Sequence, residues 1–191
     1  MAVREVLEIG DPFLAQRAPE VDPDLIGTAE IQAAIDDIVD SMRAANGSGL
    51  AANQIGLPLR IFSVEVNKNP RYPYKPPVPL DIIVNPQLTF LSDRTFENFE
   101  GCLSVPSMRG VVTRHLEVQV NGFDRHGEPL EHVVRGYSAG TYQHEYDHLD
   151  GLLFPHRVQD SSTFCSWNSF KRYKEVAFVA QVEALVAEFG R

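Results

Sequence analysis

Residues 143 to 151 read QHEYDHLDG, which places His144 and His148 four positions apart with Glu145 beside the first. On a helix, positions i and i+4 share a face with Cβ atoms about 5–6 Å apart, so both imidazoles can reach one ion. Glu145 is turned by about 100° around the axis, near enough to handle a water proton without ligating the metal. The chemistry implied is metal-assisted hydrolysis: neutral imidazoles hold a divalent cation and the carboxylate moves protons.

Two ligands do not complete such a site, because a hydrolytic metal needs a third protein donor and one position open to water. A metzincin would place its third histidine at position 154, which is Phe154. A thermolysin-like enzyme would offer a glutamate on the following helix, yet positions 164 to 174 hold no acidic residue and Glu175 arrives late. His156 reads as a turn residue. Upstream, FEGCLSVP (99 to 106) carries Cys102, a soft sulfur donor that combines with two histidines into a Cys-His-His set. Cys165 competes formally for that role, although it falls within an apolar tail pattern that favours packing.

A third segment, GSGLAANQIG (47 to 56), lacks the Gly-Lys-Ser/Thr ending of a phosphate loop, so nucleotide binding is not supported. Gly47 and Gly49 let backbone approach a ligand closely. Gln54 brings an amide that can donate to a developing oxyanion.

The elements that must position these groups follow from periodicity. Ile31, Ile35, Ile38, Val39 and Met42 predict an amphipathic helix over 30–45. Strands are expected at 60–66, 81–84 and 88–91. Leu116, Val118 and Val120 form a hairpin with 130–134 across a turn containing Gly127. A helix over 138–150 would carry the histidines, with Ser138 near its start and Gly151 just past its end. Phe164, Trp167, Phe170, Phe178, Val182, Leu185 and Phe189 predict one long C-terminal helix docked by its apolar face. The stretch 67–80, with five prolines, reads as a surface loop inserted between strands. Separated strands and helices suggest an α+β fold rather than a parallel α/β one.

The 191 residues suit a single domain, 1–191, able to bury a sizeable core. A formal net charge of −9 argues against a general nucleic-acid binder. No apolar run approaches the roughly 20 residues of a membrane span, and the N-terminus shows no apolar signal region. With two cysteines there is no disulfide framework, and a reducing cytoplasm is the expectation.

Together, GSGLAANQIG, EGCLS and QHEYDHLDG resemble the three defining motifs of the peptide deformylase family, in the family's order. The matching positions are Gly47, Gly49, Leu50, Ala51, Ala52, Gln54 and Gly56; Glu100 to Ser104; and Gln143, His144, Glu145, Asp147, His148, Leu149 and Gly151. Each motif alone is of modest specificity, whereas the ordered set is highly specific. The resemblance spans about residues 1 to 160, and the proline-rich insertion bears on pocket shape rather than chemistry. It implies antiparallel sheets around a central metal-binding helix. It also implies removal of the formyl group from N-formylmethionyl nascent peptides, with release of formate.

Carried over by that resemblance, Cys102, His144 and His148 bind the metal and Glu145 is the general base and acid. Gln54 and the backbone N–H of Leu103 stabilise the oxyanion, while Gly49 and Arg109 meet the substrate. The implied ion is Fe²⁺, with Zn²⁺, Ni²⁺ or Co²⁺ as substitutes. Asp147 is expected to pair with Arg114 and orient the metal helix. Ribosome docking through the C-terminal helix is expected by family analogy alone.

Overall fold

The computed structural model describes residues 2–67 and 72–190. The chain enters through two short helical turns and then forms α1 (Ala29–Ala44), whose Thr28 cap accepts a hydrogen bond from the Ile31 backbone N–H. Ile31, Ile35, Ile38, Val39 and Met42 of α1 are buried against Leu50, Ile55, Ile61 and Val84, so the predicted apolar stripe is the packed one.

Strands β1 (Gly49–Ala51), β2 (Ile61–Val66), β3 (Val78–Phe90), β6 (Glu117–Phe123) and β7 (Pro129–Arg135) form an antiparallel five-stranded sheet in the order β1-β2-β3-β6-β7. The β6–β7 hairpin turns at Gly127, whose φ of +84° suits glycine. Two expected strands, 81–84 and 88–91, are one long strand. Its pairing shifts between Val84 and Gln87, where Asn85 adopts φ +51°.

A second sheet holds β4 (Thr95–Cys102), β5 (Val105–His115) and the two-residue β8 (Cys165–Ser166). The β4–β5 hairpin was not legible from alternation. Its inward residues after Phe96 are Asn98, Glu100 and Cys102, which do not read as an apolar face.

Helix α2 (Tyr137–Leu149) carries both histidines and lies between the sheets, touching β1, β2, β3 and β7 on one side and β5 on the other. Gly140 permits that approach: a Cβ there would meet Phe96 Cζ at 3.0 Å and Asn98 Nδ2 at 3.3 Å. The helix ends at Gly151, in the left-handed region with φ +75°.

The tail departs from the expected single helix. Phe164 precedes the strand β8, and the helical part is split into α3 (Trp167–Tyr173) and α4 (Glu175–Phe189) at Lys174. Pairing of Cys165 with Arg109 pulls the start of the segment into the sheet. Phe170, Phe178 and Val182 nevertheless bury together with Phe96 and Tyr137. Of the proline-rich stretch, 68–71 lie outside the described residues. Tyr72 is buried and Tyr74 packs edge-on against Phe178, so this part is more than a surface loop.

Candidate metal centre and active site

Three elements converge. In β4, the alternation that turns Phe96 inward also turns Asn98, Glu100 and Cys102 inward. One turn of α2 separates His144 from His148. The short helical turn after β1, residues 52–55, presents Gln54.

Cys102 Sγ lies 3.3 Å from His148 Nε2, and one donor atom from each of Cys102, His144 and His148 falls within 4.8 Å of the others. A tetrahedral ion with a sulfur bond near 2.3 Å and nitrogen bonds near 2.0–2.1 Å needs about 3.5 Å between such donors. The donor set therefore fits a transition-metal ion. Each imidazole is also oriented through its other nitrogen. His144 Nδ1 meets Glu100 Oε2 at 2.8 Å, and His148 Nδ1 meets the Leu152 carbonyl at 3.1 Å, which leaves both Nε2 atoms for the ion. His156, read as a turn residue, is one: its Nδ1 accepts from the Leu153 N–H at 3.0 Å.

Beneath the ligands lies a buried ion network. Arg114 donates to both Glu100 oxygens at 2.7 and 2.9 Å and to Asp147 at 2.7 Å, and Arg157 closes on Asp147 at 2.7 Å. The expected Arg114–Asp147 pair is present, and Glu100 joins it to His144. Burial alone would raise the Glu100 pKa; Arg114 and His144 outweigh that and hold it well below the ordinary carboxylate range. Burial disfavours a charged His144, yet Glu100 and the Cys102 sulfur outweigh it and hold its pKa well above the usual. His148 is pushed the other way, by burial and by His144, and stays neutral.

Glu145 behaves differently. Burial raises its pKa to about 7, with His144 and Lys75 opposing, and its Oε2 has no hydrogen-bond partner among the described residues. Its carboxylate lies so close to Gly49 that a Cβ there would collide with it. Gln54 is held by its Oε1, which accepts from the Ala51 N–H at 2.9 Å. Its Nε2 donates to Ser104 Oγ at 3.0 Å and reaches Cys102 Sγ at 3.5 Å.

One cavity is shared by Gly49, Gln54, Cys102, Leu103, His144 and Glu145. Arg109 also lines its wall, but it is only 3% exposed. Its guanidinium is enclosed by Phe170 at 4.3 Å, Trp167 at 4.6 Å and Tyr72 at 5.5 Å, and it donates to the Phe99 carbonyl at 3.0 Å. Cys165, the formal competitor, is half-buried on β8 beside Arg109 and is no member of the donor cluster.

Residue-by-residue reasoning had not marked the anchoring of His144 by Glu100 or the support of His148 by Asn53, whose Nδ2 donates to its carbonyl. The available signal for Glu100 was a charge at an inward position of an alternating strand.

Comparison with known proteins agrees with this geometry. A family profile described as Polypeptide deformylase matches residues 3–164. Peptide deformylase 1 of Nitrosomonas europaea is 43% identical over 162 residues, covering 85% of this chain and 91% of that protein. Peptide deformylase 2 of Ralstonia nicotianae is likewise 43% identical, covering 85% and 90%. A Met-Ala-Ser-bound class I type b peptide deformylase from Acinetobacter baumannii superposes with a TM-score of 0.79 at 35% identity, covering 82% of this chain and 99% of that one. A peptide deformylase structure from Legionella pneumophila gives 0.71 at 32% identity and covers 97% of this chain and 98% of that one, tail included. No helix among the described residues is long and apolar enough to cross a membrane. With a Cys-His-His donor set, a glutamate beside it and matches of this extent, the chain belongs to the polypeptide deformylase family.

Proposed function

We propose that the protein, acting as one catalytic unit over 1–191, hydrolyses the formyl amide of N-formylmethionyl nascent peptides, with Cys102, His144 and His148 holding the metal. The observation that carries this is the cavity joining Cys102 and His144 to Glu145 and Gln54, with His148 completing the donor cluster behind them. Peptide binding is supported by the Met-Ala-Ser complex of the Acinetobacter relative.

A divalent metal held by Cys102, His144 and His148 would supply Lewis-acid polarisation of the formyl group and would lower the pKa of a bound water towards about 7. Glu145, with a pKa of about 7 and a free Oε2, takes the water proton and returns it to the departing amine. Gln54 Nε2, already beside Cys102, and the Leu103 backbone N–H donate to the charge growing on the formyl oxygen. Such a donor contributes about 2.7–4 kcal/mol in comparable sites. Gly49 lets the Glu145 carboxylate pack directly against the β1 backbone, and its own backbone lines the cavity where it meets the peptide. Arg109 acts as a rigid wall, fixed by the aromatic rings of the tail.

The ion is assigned as Fe²⁺, with Zn²⁺, Ni²⁺ and Co²⁺ as substitutes, since thiolate plus imidazole suits each of them. Encounter with nascent chains at the ribosome belongs to the same reading; Lys171 and Arg172 at the end of α3 give the tail its basic surface. Cosedimentation with ribosomes, weakened by K171E/R172E, tests that part.

The decisive experiment is formate release from formyl-Met-Ala-Ser under anaerobic conditions with added Fe²⁺. Turnover is expected, and Glu145→Ala abolishes it with the metal retained. Cleavage of internal peptide bonds without formate would instead make the protein a peptidase. Metal binding with neither activity would make it a binding module.

A further inference from the structure

The cavity beside the metal donors is small for the work assigned to it. Its volume is about 60 Å³, room for about four to six waters at 10–15 Å³ each. Sites that enclose small molecules run to about 300–1,000 Å³, and a formylmethionyl group brings about ten non-hydrogen atoms. The ion must share the same space.

What closes the cavity is the far end of the proline-rich stretch. Tyr72 and Lys75 line it together with Gln54, Cys102, His144 and Glu145. The Lys75 N–H donates to the Tyr72 carbonyl at 3.1 Å, which folds 72–75 into one turn. Pro73, Pro76 and Pro77 restrict the backbone on either side of Tyr74 and Lys75. The segment is therefore stiff and moves as a unit, not by local compression.

The tail holds this segment down. The Tyr72 ring meets Trp167 edge-on, with centroids 6.0 Å apart and planes at 83°. The Tyr74 ring meets Phe178 in the same way at 5.7 Å and 87°. Both tail residues lie past position 164, where the family profile ends. Contacts between ring edges and faces are individually modest, so a closed state built on two of them can open.

We propose that residues 72–75 form a lid closed over the metal cavity and that Trp167 and Phe178 of the tail latch it, so that a peptide binds only after the lid swings away. This rests on the formyl-peptide reading above. Apparent affinity is then the intrinsic affinity reduced by the fraction of molecules that are open. A weakened latch tightens binding, which is the opposite of what losing a substrate contact does.

The test uses Trp167 itself, the one tryptophan of the chain, in the holoenzyme. Titration with Met-Ala-Ser is expected to shift its emission to the red, as Tyr72 leaves its ring and water replaces it. In Tyr74→Ala, which removes the ring packed on Phe178, the emission is expected to be red-shifted before any peptide is added. The same variant should bind Met-Ala-Ser several-fold to about tenfold more tightly, the range set by the loss of an aromatic pair. Native emission that stays fixed while calorimetry shows the peptide saturated overturns the proposal. Unchanged or weaker binding in a folded Tyr74→Ala protein also overturns it. If Tyr74→Ala does not fold, the native titration alone decides. Absence of turnover on formyl-Met-Ala-Ser would sink the deformylase reading itself, a separate outcome from either emission result.

Discussion

Glu100 and His144 are joined at 2.8 Å, and the same carboxylate is clamped by Arg114, so the orientation of a metal ligand is tied to a buried ion network. The tie explains why Glu100 is charged although nearly fully enclosed: two cationic or proton-donating groups outweigh its loss of hydration.

Glu100→Gln keeps the shape but weakens the hold on His144 Nδ1. Metal affinity is expected to fall about 10–100-fold, the usual effect of losing such an outer partner. Competition with a chromogenic chelator measures it; unchanged affinity would show that His144 needs no anchor.

Arg114→Ala removes the partner of two buried carboxylates and is expected to cost about 3–5 kcal/mol in stability. Because Arg114 and Asp147 share a contact at 2.7 Å, Arg114→Ala and Asp147→Asn should be strongly non-additive. Denaturant titration of both single variants and the double variant gives the coupling, and additivity within error would remove the pair as a unit.

Glu145→Gln is expected to lower kcat by at least 10²–10⁴-fold with metal content unchanged. In the metal-stripped protein the same change should stabilise the fold at pH 8. The native carboxyl has a pKa of about 7 when folded against 4.5 for the reference value, so the folded state disfavours its ionisation. Below pH 4.5 both states carry the proton and native and variant proteins are affected alike. As pH rises from 4.5 to 7 the native protein loses up to about 3 kcal/mol relative to the variant, and above that the gap is constant. Thermal melts at pH 5 and pH 8 check the sign.

Gly49→Ala places a methyl group against the Glu145 carboxylate. Activity should fall far more than stability, because the atoms the methyl displaces are the flexible end of the Glu145 side chain and not backbone. Near-native kcat/KM in this variant would show that the Glu145 position in the cavity is not the working one.

Chelation should lower the melting temperature, since a ligand that binds only the folded state contributes about 2.7 kcal/mol at a hundredfold excess over Kd. Re-addition of Fe²⁺ or Zn²⁺ should restore it in the native protein and do so poorly in Cys102→Ser.

The sequence by itself determined what is local. Spacing of four put His144 and His148 on one helix face, and the stripe from Ile31 to Met42 defined α1. Three ordered motifs sufficed to indicate the family, because each keeps its chemistry within about ten consecutive residues. Tertiary structure decided what depends on separated segments meeting. Glu100 acquires its role only when β4 packs beside α2, and its inward charge disguised the strand that carries it. The apolar spacing of the tail was read as one helix, but spacing cannot reveal that β5 claims Cys165 for its edge while Phe178 and Val182 follow on a separate helix, all packed on one cluster. Arg109 became a walled-in residue for the same reason: Trp167 and Phe170 enclose it from a part of the chain some sixty residues away. Helical periodicity is a property of neighbours along the chain, whereas a strand edge, an ion network and a cavity wall belong to neighbours in space.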